Sequence, residues 1–333
     1  MREFTWVDGE RTIVFGPARV EALGGPGYTL LTTPRAAAAA PAIAEAAGAV
    51  HHVGPGHVHE LAGALLGEVR GDRLVALGGG RVVDVAKALA AADGSARAMA
   101  VPTTLSGAEM TRGHRHAVGV PEETPRVRPA VVLCDPALAA SQPEPELAAS
   151  SLNALGHAVE GPCTVRANPV ATLAAHEAAR LIAAGWSGEA PDRETLALGA
   201  LLAGYVIDST GLGLHHVLAQ TLVRVAGAGH GPANAAMLPH TIGALAERTP
   251  EAIAALDAAV PDGLVAVARR IAERAGARSL REIGVDPGTL EACADAAAAR
   301  PQLANTPPAA GREEILALYE AALGSAQNRH ERV

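Results

Sequence analysis

From about residue 12 to residue 135 the chain alternates short runs of apolar, β-branched residues with alanine-rich stretches. Each run ends at Gly, Pro, Asp or Thr, which commonly follow strands. Because strand, helix and strand succeed one another, the pattern predicts a parallel sheet with helices on both faces. The predicted strands cover residues 12–15, 28–32, 49–53, 74–77, 98–101 and 130–133.

After Pro136 the strand signals stop, and long Ala/Leu stretches show helical spacing interrupted by Gly and Pro. The change predicts an α/β fold followed by an all-α part. We expect an N-terminal Rossmann-like, parallel-sheet nucleotide-binding domain over residues 1–145 and a C-terminal helical domain over 146–333 that carries the substrate site. The helices predicted in the second domain cover residues 146–160, 171–184, 193–209, 214–226, 233–247, 253–275, 289–298 and 313–323.

Composition narrows the possible partners. The length of 333 residues suits two domains, and a net charge of −8 argues against nucleic acid or an anionic membrane as partner. The chain contains no signal-peptide pattern and no apolar run of the roughly 20 residues that would span a bilayer. Its three cysteines, an odd number without metal-type spacing, suit a reducing cytoplasm. We therefore expect a cytoplasmic protein whose partner is a small-molecule substrate.

A glycine turn follows the strand predicted at residues 74–77. Gly78, Gly79 and Gly80 precede a predicted helix, an arrangement that lets the backbone approach a diphosphate and directs helix N–H groups at it. The spacing is not that of the Gly-x-Gly-x-x-Gly fingerprint, so a simple turn stays an alternative. The same helix contains Lys87, the only lysine among the 27 Lys and Arg residues, which indicates that this position requires one.

The next predicted strand leads into a loop rich in small hydroxyl residues. Thr103, Thr104 and Ser106 lie where they can line a nucleotide site beside the glycine turn. Ordinary capping and turn bonds are the alternative for these hydroxyls. Because two such loops follow neighbouring strands, nucleotide binding is the better interpretation.

Four polar residues of the helical part predict a second site. Asn153 and His157 are four residues apart, so their side chains share one face of a helix. His216 and His230 each lie at the start of a predicted helix. Three neutral histidines can bind Zn²⁺, whereas the Asn153 amide brings no charge and coordinates weakly; structural histidines are the alternative. Surface or capping roles are predicted for His51, His52, His57, His59, His176 and His330.

These blocks, in this order, resemble the iron-containing alcohol dehydrogenase superfamily, and within it the maleylacetate reductase branch. The resemblance lies in residues 78–87, 102–111, 152–160, 213–216 and 230–240. It implies NADPH or NADH bound in a cleft between a nucleotide-binding domain and a helical domain, and a homodimer. In the iron branch the first metal-ligand position is aspartate. The asparagine of this chain is similar to the maleylacetate reductases, which work without a metal.

The resemblance also assigns residues to sites. The four metal-ligand positions, which are the predicted catalytic residues of this chain, are Asn153, His157, His216 and His230. The positions matched to cofactor binding are Gly79, Gly80, Asp84, Thr103 and Thr104, and Arg81, Ser106 and Thr111 of the same two segments complete that set.

The chain departs from the family pattern near the expected substrate. Arg81 stands where serine is usual, and Gln220 replaces the histidine usually found four residues after His216. A basic segment, residues 112–116, is unusual for either branch; it can clamp a carboxylate, with a solvated basic turn as the alternative. The predicted substrate-binding residues are His114, Arg115, His116, His215 and Gln220.

The predicted function is NAD(P)H-dependent reduction of a carbonyl group, or of a double bond conjugated to one, in a small acidic substrate. Without a metal, one of the histidines His157, His216 and His230 acts as general acid near neutral pH, and Asn153 positions a ring or a substrate oxygen. If a metal binds, the same three histidines hold it. Arg35, after the second strand, favours NADPH. The alternatives are a lyase or cyclase of the dehydroquinate synthase-like fold, a zinc-dependent alcohol dehydrogenase and a non-catalytic binding protein.

Overall fold

The computed structural model describes residues 3–324; His330 lies outside them. The chain forms two compact units. The first contains the chain up to Pro143 together with Arg180–Asp208, and the second contains Glu144–Ala179 and the chain from Ser209 onward. The predicted division at residue 145 placed Arg180–Asp208 in the helical part, whereas this helical segment packs with the α/β unit.

The first unit contains a seven-stranded sheet with the strand order β1-β2-β7-β6-β5-β3-β4. All neighbouring strands are parallel except β1 and β2, which form an antiparallel hairpin. The strands are β1 (Phe4–Asp8), β2 (Arg11–Phe15), β3 (Thr29–Thr32), β4 (Ala49–His52), β5 (Arg73–Gly78), β6 (Arg97–Pro102) and β7 (Val131–Cys134).

All six predicted strands are present, and the sequence analysis missed β1. Its signal was Gly9, which forms the two-residue turn with Glu10 between the paired Asp8 and Arg11 and has φ 60°. Helices cover both faces of the sheet, as expected. Leu74 and Ala76 of β5 belong to one apolar cluster and Val75 and Leu77 to another, because successive side chains of a strand point to opposite faces.

The other regular secondary structure of the described chain is helical. The predicted helix at 253–275 is wrong, because it is two helices separated at Pro261 and Gly263, the latter at φ 78°. The helices are α1 (Pro34–Ala39), α2 (Pro41–Glu45), α3 (Val58–Leu65), α4 (Gly80–Asp93), α5 (Pro136–Ala139), α6 (Glu144–Glu160), α7 (Pro169–Gly185), α8 (Arg193–Thr210), α9 (Leu214–Val225), α10 (His230–Arg248), α11 (Pro250–Ala258), α12 (Leu264–Arg274), α13 (Leu290–Ala298) and α14 (Arg312–Leu323).

Within residues 3–324 no single helix is long and apolar enough to cross a membrane. The bent pair of α8 and α9 reaches that length and apolarity only when the two helices are taken together. The three cysteines Cys134, Cys163 and Cys293 are buried free thiols, as small apolar side chains would be.

Candidate active site

The glycine turn packs directly against the hydroxyl loop of residues 103–106. A Cβ atom on Gly79 would lie 2.9 Å from Cγ2 of Thr104, and one on Gly80 would lie 2.9 Å from Oγ of Ser106. Side chains at these two positions would therefore fill the space between the two segments. The glycine turn and the hydroxyl loop are therefore in contact within the first unit, as predicted, and this contact requires glycine at positions 79 and 80.

This junction has the features of a phosphate cradle. Helix α4 begins at Gly80, so its first backbone N–H groups point outward at the turn. Thr103 donates its backbone N–H to the Gly78 carbonyl oxygen at 2.9 Å. The hydroxyl oxygen of Thr104 is buried and has no hydrogen-bond partner within the described chain. The residues present fit the diphosphate of a dinucleotide.

Lys87 fixes the segment that follows the hydroxyl loop. Its fully buried ammonium group donates to the carbonyl oxygens of Ala108, Thr111 and Gly113 at 2.9, 3.0 and 2.8 Å. It also forms an ion pair with Asp84 at 2.7 Å. Two predicted cofactor residues, Asp84 and Thr111, are thus engaged by the only lysine of the chain.

The basic segment 112–116 divides into a buried and an exposed part. Nδ1 of His114 lies 3.1 Å from the Arg115 carbonyl oxygen, and the Val127 backbone N–H lies 3.4 Å from Nε2. Burial lowers the pKa of His114 to about 4, so the ring is neutral and supports the loop. Its predicted contact with the substrate stays a prediction. Arg115 is exposed, and the ring of His116 meets that of His114 edge-on at 5.4 Å.

In the second unit, α6 and α9 bring His157 and His216 together. The two rings stack with their centroids 4.5 Å apart and an interplanar angle of 18°. Glu160 lies one turn after His157 on α6, and its Oε2 is 2.9 Å from Nδ1 of His216. Its Oε1 accepts the backbone N–H groups of His215 and His216 at 2.6 and 3.4 Å. One carboxyl group therefore orients the His216 ring and caps the start of α9.

His215 packs between Thr241 and the ring of His216. Its Nδ1 lies 2.8 Å from the Thr241 hydroxyl, which itself donates to the Met237 carbonyl oxygen at 3.2 Å. The ring therefore donates from Nδ1 and meets His216 edge-on, with centroids 4.7 Å apart. A Cβ atom on Gly156 would lie 2.6 Å from Nε2 of His215, so this helical glycine makes room for the ring.

Burial determines the charge of the histidine cluster, which comprises His157, His215 and His216. It lowers the pKa of His215 and of His216 to about 3, and that of His157 well below its usual range. Burial also raises the pKa of Glu160. The cluster is therefore neutral at pH 7, and the expected histidine that titrates near neutral pH is not found in it.

The other predicted residues of this unit lie on the same helices. Asn153 is buried on α6, one turn before His157. His230 begins α10, where the Asn234 amide donates to its carbonyl oxygen at 2.8 Å. Gln220, one turn after His216 on α9, accepts from a guanidinium N–H of Arg300 at 2.8 Å.

The residues present do not fit a metal ion. Among residues 3–324, no group of three His, Cys, Asp or Glu side chains is arranged to hold one. His157 and His216 stack face to face, and the amide of Asn153 supplies no charge to offset that of a cation.

The family model described as "Fe-containing alcohol dehydrogenase family, C-terminal" matches residues 147–323. The chain is 35% identical over 265 residues to "Maleylacetate reductase 1" of Rhodococcus opacus, covering 76% of this chain and 74% of that protein. The chain belongs to the Fe-containing alcohol dehydrogenase family. It is also 30% identical to the maleylacetate reductase of Pseudomonas aeruginosa over 86% of this chain and 88% of the relative.

A solved family structure, "Maleylacetate reductase from Agrobacterium tumefaciens", superposes with a TM-score of 0.80 at 29% identity, covering 97% of this chain and 99% of that one. The predicted family, fold class and enzyme class are confirmed: this member of the Fe-containing alcohol dehydrogenase family is an oxidoreductase with an α/β part and a helical part.

Sequence reasoning missed four residues that hold the histidine cluster. Glu160 carried a signal, because it follows His157 by three residues and so shares its helix face. Thr241, Arg300 and Thr306 carried none, because their partners are distant in sequence.

Proposed function

We propose that the chain is an NAD(P)H-dependent reductase of a carbonyl group, or of a carbonyl-conjugated double bond, in a small acidic substrate, and that it works without a metal ion. The observation that carries this is the buried contact between Glu160 and Nδ1 of His216, at 2.9 Å, in a family whose relatives include maleylacetate reductases. We also propose a cytoplasmic homodimer without nucleic-acid or membrane partners.

The first unit holds the cofactor in this proposal. Backbone N–H groups at the start of α4, with Gly79, Gly80 and the hydroxyl of Thr104, bind its diphosphate. When bound, the nicotinamide cofactor supplies the hydride. Lys87 keeps residues 108–113 in place beside this site. Arg35 favours NADPH.

His216 supplies the proton. Burial raises the pKa of Glu160 and lowers that of His216, which favours the neutral form of both groups. In that state the carboxyl proton faces Nδ1 and the ring proton lies on Nε2. As Nε2 gives its proton to the substrate oxygen, Nδ1 takes the proton of Glu160. The carboxylate that remains is stabilised by the backbone N–H groups of His215 and His216. This route avoids a buried imidazolium, which the low pKa of His216 makes costly.

Turnover and product mass test the function. After dialysis against a chelator and measurement of residual metal, oxidation of NADPH and NADH is followed with a panel of oxo acids, enones and neutral carbonyl compounds. A product heavier by two hydrogens from metal-free protein is expected. A product isomeric with the substrate, or one that has lost water, would support a lyase instead. Absence of both cofactor oxidation and cofactor binding would end the proposal, and activity that returns only with added metal would remove its metal-free part.

Two variants test the proton route. Glu160→Gln cannot supply a proton to Nδ1, and we expect kcat to fall by about 100-fold or more, the usual contribution of general acid catalysis. His176→Gln, on α7 of the same unit, is the matched control and should leave kcat unchanged. An unchanged kcat in Glu160→Gln would refute the route.

A further inference from the structure

Arg300 places a positive charge beside the histidine cluster. It follows α13 and precedes the short 3-10 helix Pro301–Asn305, whose first proline restricts the backbone there. Its side chain reaches across to α9, where Nη1 donates to the Val217 carbonyl oxygen at 3.2 Å and Nη2 donates to Oε1 of Gln220 at 2.8 Å. Val217 is the residue next to His216.

The two contacts set the orientation of the guanidinium. Both acceptors are neutral oxygens of α9, and they lie on the helix turn that begins with His216. Arg300 and Gln220 are half-buried, so the pair is neither sealed in the core nor freely solvated. A planar guanidinium held at two points in this way is preorganised for a further partner that accepts hydrogen bonds in its plane.

The charge of Arg300 acts on the cluster. Burial is the main cause of the low pKa of His216, and electrostatic interactions with His230 and Arg300 lower it further. A negative charge near His216 would therefore be favoured by Arg300, and a second positive charge would be opposed by it.

We propose that Arg300 binds a carboxylate of the substrate, that Gln220 holds its guanidinium in position, and that the pair selects oxo acids over neutral carbonyl compounds. A guanidinium binds a carboxylate through two parallel N–H bonds, which fixes the direction of the substrate as well as its charge. This places the acidic end of the substrate one helical turn from the proton donor. The inference rests on the proposed reductase function and adds to it the residue that recognises the substrate.

The test compares Arg300→Met with Arg278→Met, which removes an exposed arginine of the same unit. With the best oxo acid of the panel, Arg300→Met should raise KM by about 10- to 100-fold, since a charge-assisted bidentate pair is lost, and change kcat much less. With the methyl ester of that acid its KM should stay within about threefold of the wild-type value. Arg300→Lys keeps the charge but not the planar guanidinium, so its KM for the oxo acid should lie between those of the wild-type protein and Arg300→Met.

Gln220→Glu gives an independent check that retains Arg300. The new carboxylate takes the place of Oε1 at 2.8 Å from Nη2 and competes with the substrate, so KM for the oxo acid should rise while that for the ester does not. Equal KM changes for acid and ester in Arg300→Met, or no change, would overturn the proposal, as would a purely structural outcome in which kcat and the melting temperature fall and KM does not.

If wild-type protein reduces nothing, the proposed function fails and Arg300 is tested by binding alone. Calorimetry with succinate and with its uncharged diamide then decides. Succinate affinity that falls by about tenfold or more in Arg300→Met, and is unchanged in Arg278→Met, supports a carboxylate site. No succinate binding by wild-type protein, or equal affinity in all three proteins, would overturn it.

Discussion

Gly156 shows how closely the histidine cluster is packed. It lies in the middle of α6, where alanine would ordinarily be the better helix former by about 0.5–1 kcal/mol. The ring of His215 occupies the space that a side chain would need. A Cβ atom on Gly156 would lie 2.6 and 2.7 Å from Nε2 and Cδ2 of His215 and 3.4 Å from Cε1 of His216. The intrinsic preference of the helix is therefore overridden by the site.

We expect Gly156→Ala to move both rings. Because the obstructing atoms belong to a buried ring, the variant should lose about 1–3 kcal/mol of unfolding free energy, the usual cost of overpacking, and most of its kcat. Urea unfolding and steady-state kinetics measure both. Gly243→Ala on α10, where a Cβ atom would meet nothing within 4 Å, is the control and should be neutral or slightly stabilising. A Gly156→Ala protein as stable and active as this control would show that the cluster tolerates the extra methyl group.

At the scale of elements, α9 depends on caps that come from elsewhere in the chain. Its N-cap residue is Gly213, which has no side chain to offer. The Leu214 N–H instead reaches the buried hydroxyl of Thr306 at 3.1 Å, and the next two N–H groups reach Glu160. The direction of His216 is therefore set by two residues far from α9 in sequence.

Thr306→Val should loosen the start of α9. The change keeps the shape and leaves the Leu214 N–H without its acceptor, which costs about 1–2 kcal/mol for a buried donor. We also expect a fall in kcat, because His216 lies two residues after Leu214. Thr306→Ser retains the hydroxyl and should keep most of the unfolding free energy and most of kcat. Denaturant unfolding and kcat for the two variants give the comparison, and equal behaviour of Val and Ser would remove the capping role.

Lys87 joins α4 to the segment that carries Thr111. Lys87→Met leaves three carbonyl oxygens without their donor and removes the ion pair with Asp84, so we expect a loss of about 3 kcal/mol in unfolding free energy. NADPH binding should weaken as well. Asp84→Asn removes only the ion pair and should cost clearly less. Urea unfolding and fluorescence titration with NADPH measure both effects, and a loss in Asp84→Asn as large as that in Lys87→Met would assign the role to the ion pair alone.

Local patterns in the sequence were enough for most elements and not for the contacts that orient them. Six strands followed from β-branched runs, and Asn153 and His157 from helical spacing. The break at Gly263 was missed because alanine-rich segments on both sides keep the helical pattern. Arg300 and Gln220 are 80 positions apart, and no spacing rule relates such residues before the chain is folded.

At the scale of the whole molecule, buried ionisable groups make stability depend on pH. Burial lowers the pKa of four histidines below their ordinary value of about 6.5 and raises the pKa of two glutamates above theirs of about 4.3. The pKa of Glu109 is raised by burial to about 7. The six groups are His114, His157, His215, His216, Glu109 and Glu160.

Between about pH 5 and 6.5 the unfolded chain binds histidine protons that the folded chain does not bind, whereas the raised pKa of the two glutamates acts in the opposite direction. Because the histidines outnumber the glutamates, the unfolded state binds more protons, and stability should fall as the pH drops through this range. Above pH 7 the histidine difference disappears, and each of the two glutamates lowers stability with rising pH for as long as the folded chain holds its proton. Urea unfolding across this range should therefore give a maximum near pH 7. Glu109→Gln should reduce the decline on the alkaline side and steepen the one on the acid side. Greatest stability near pH 5 would mean that the histidines are protonated in the folded chain, which would also contradict the neutral His216 of the proposed proton route.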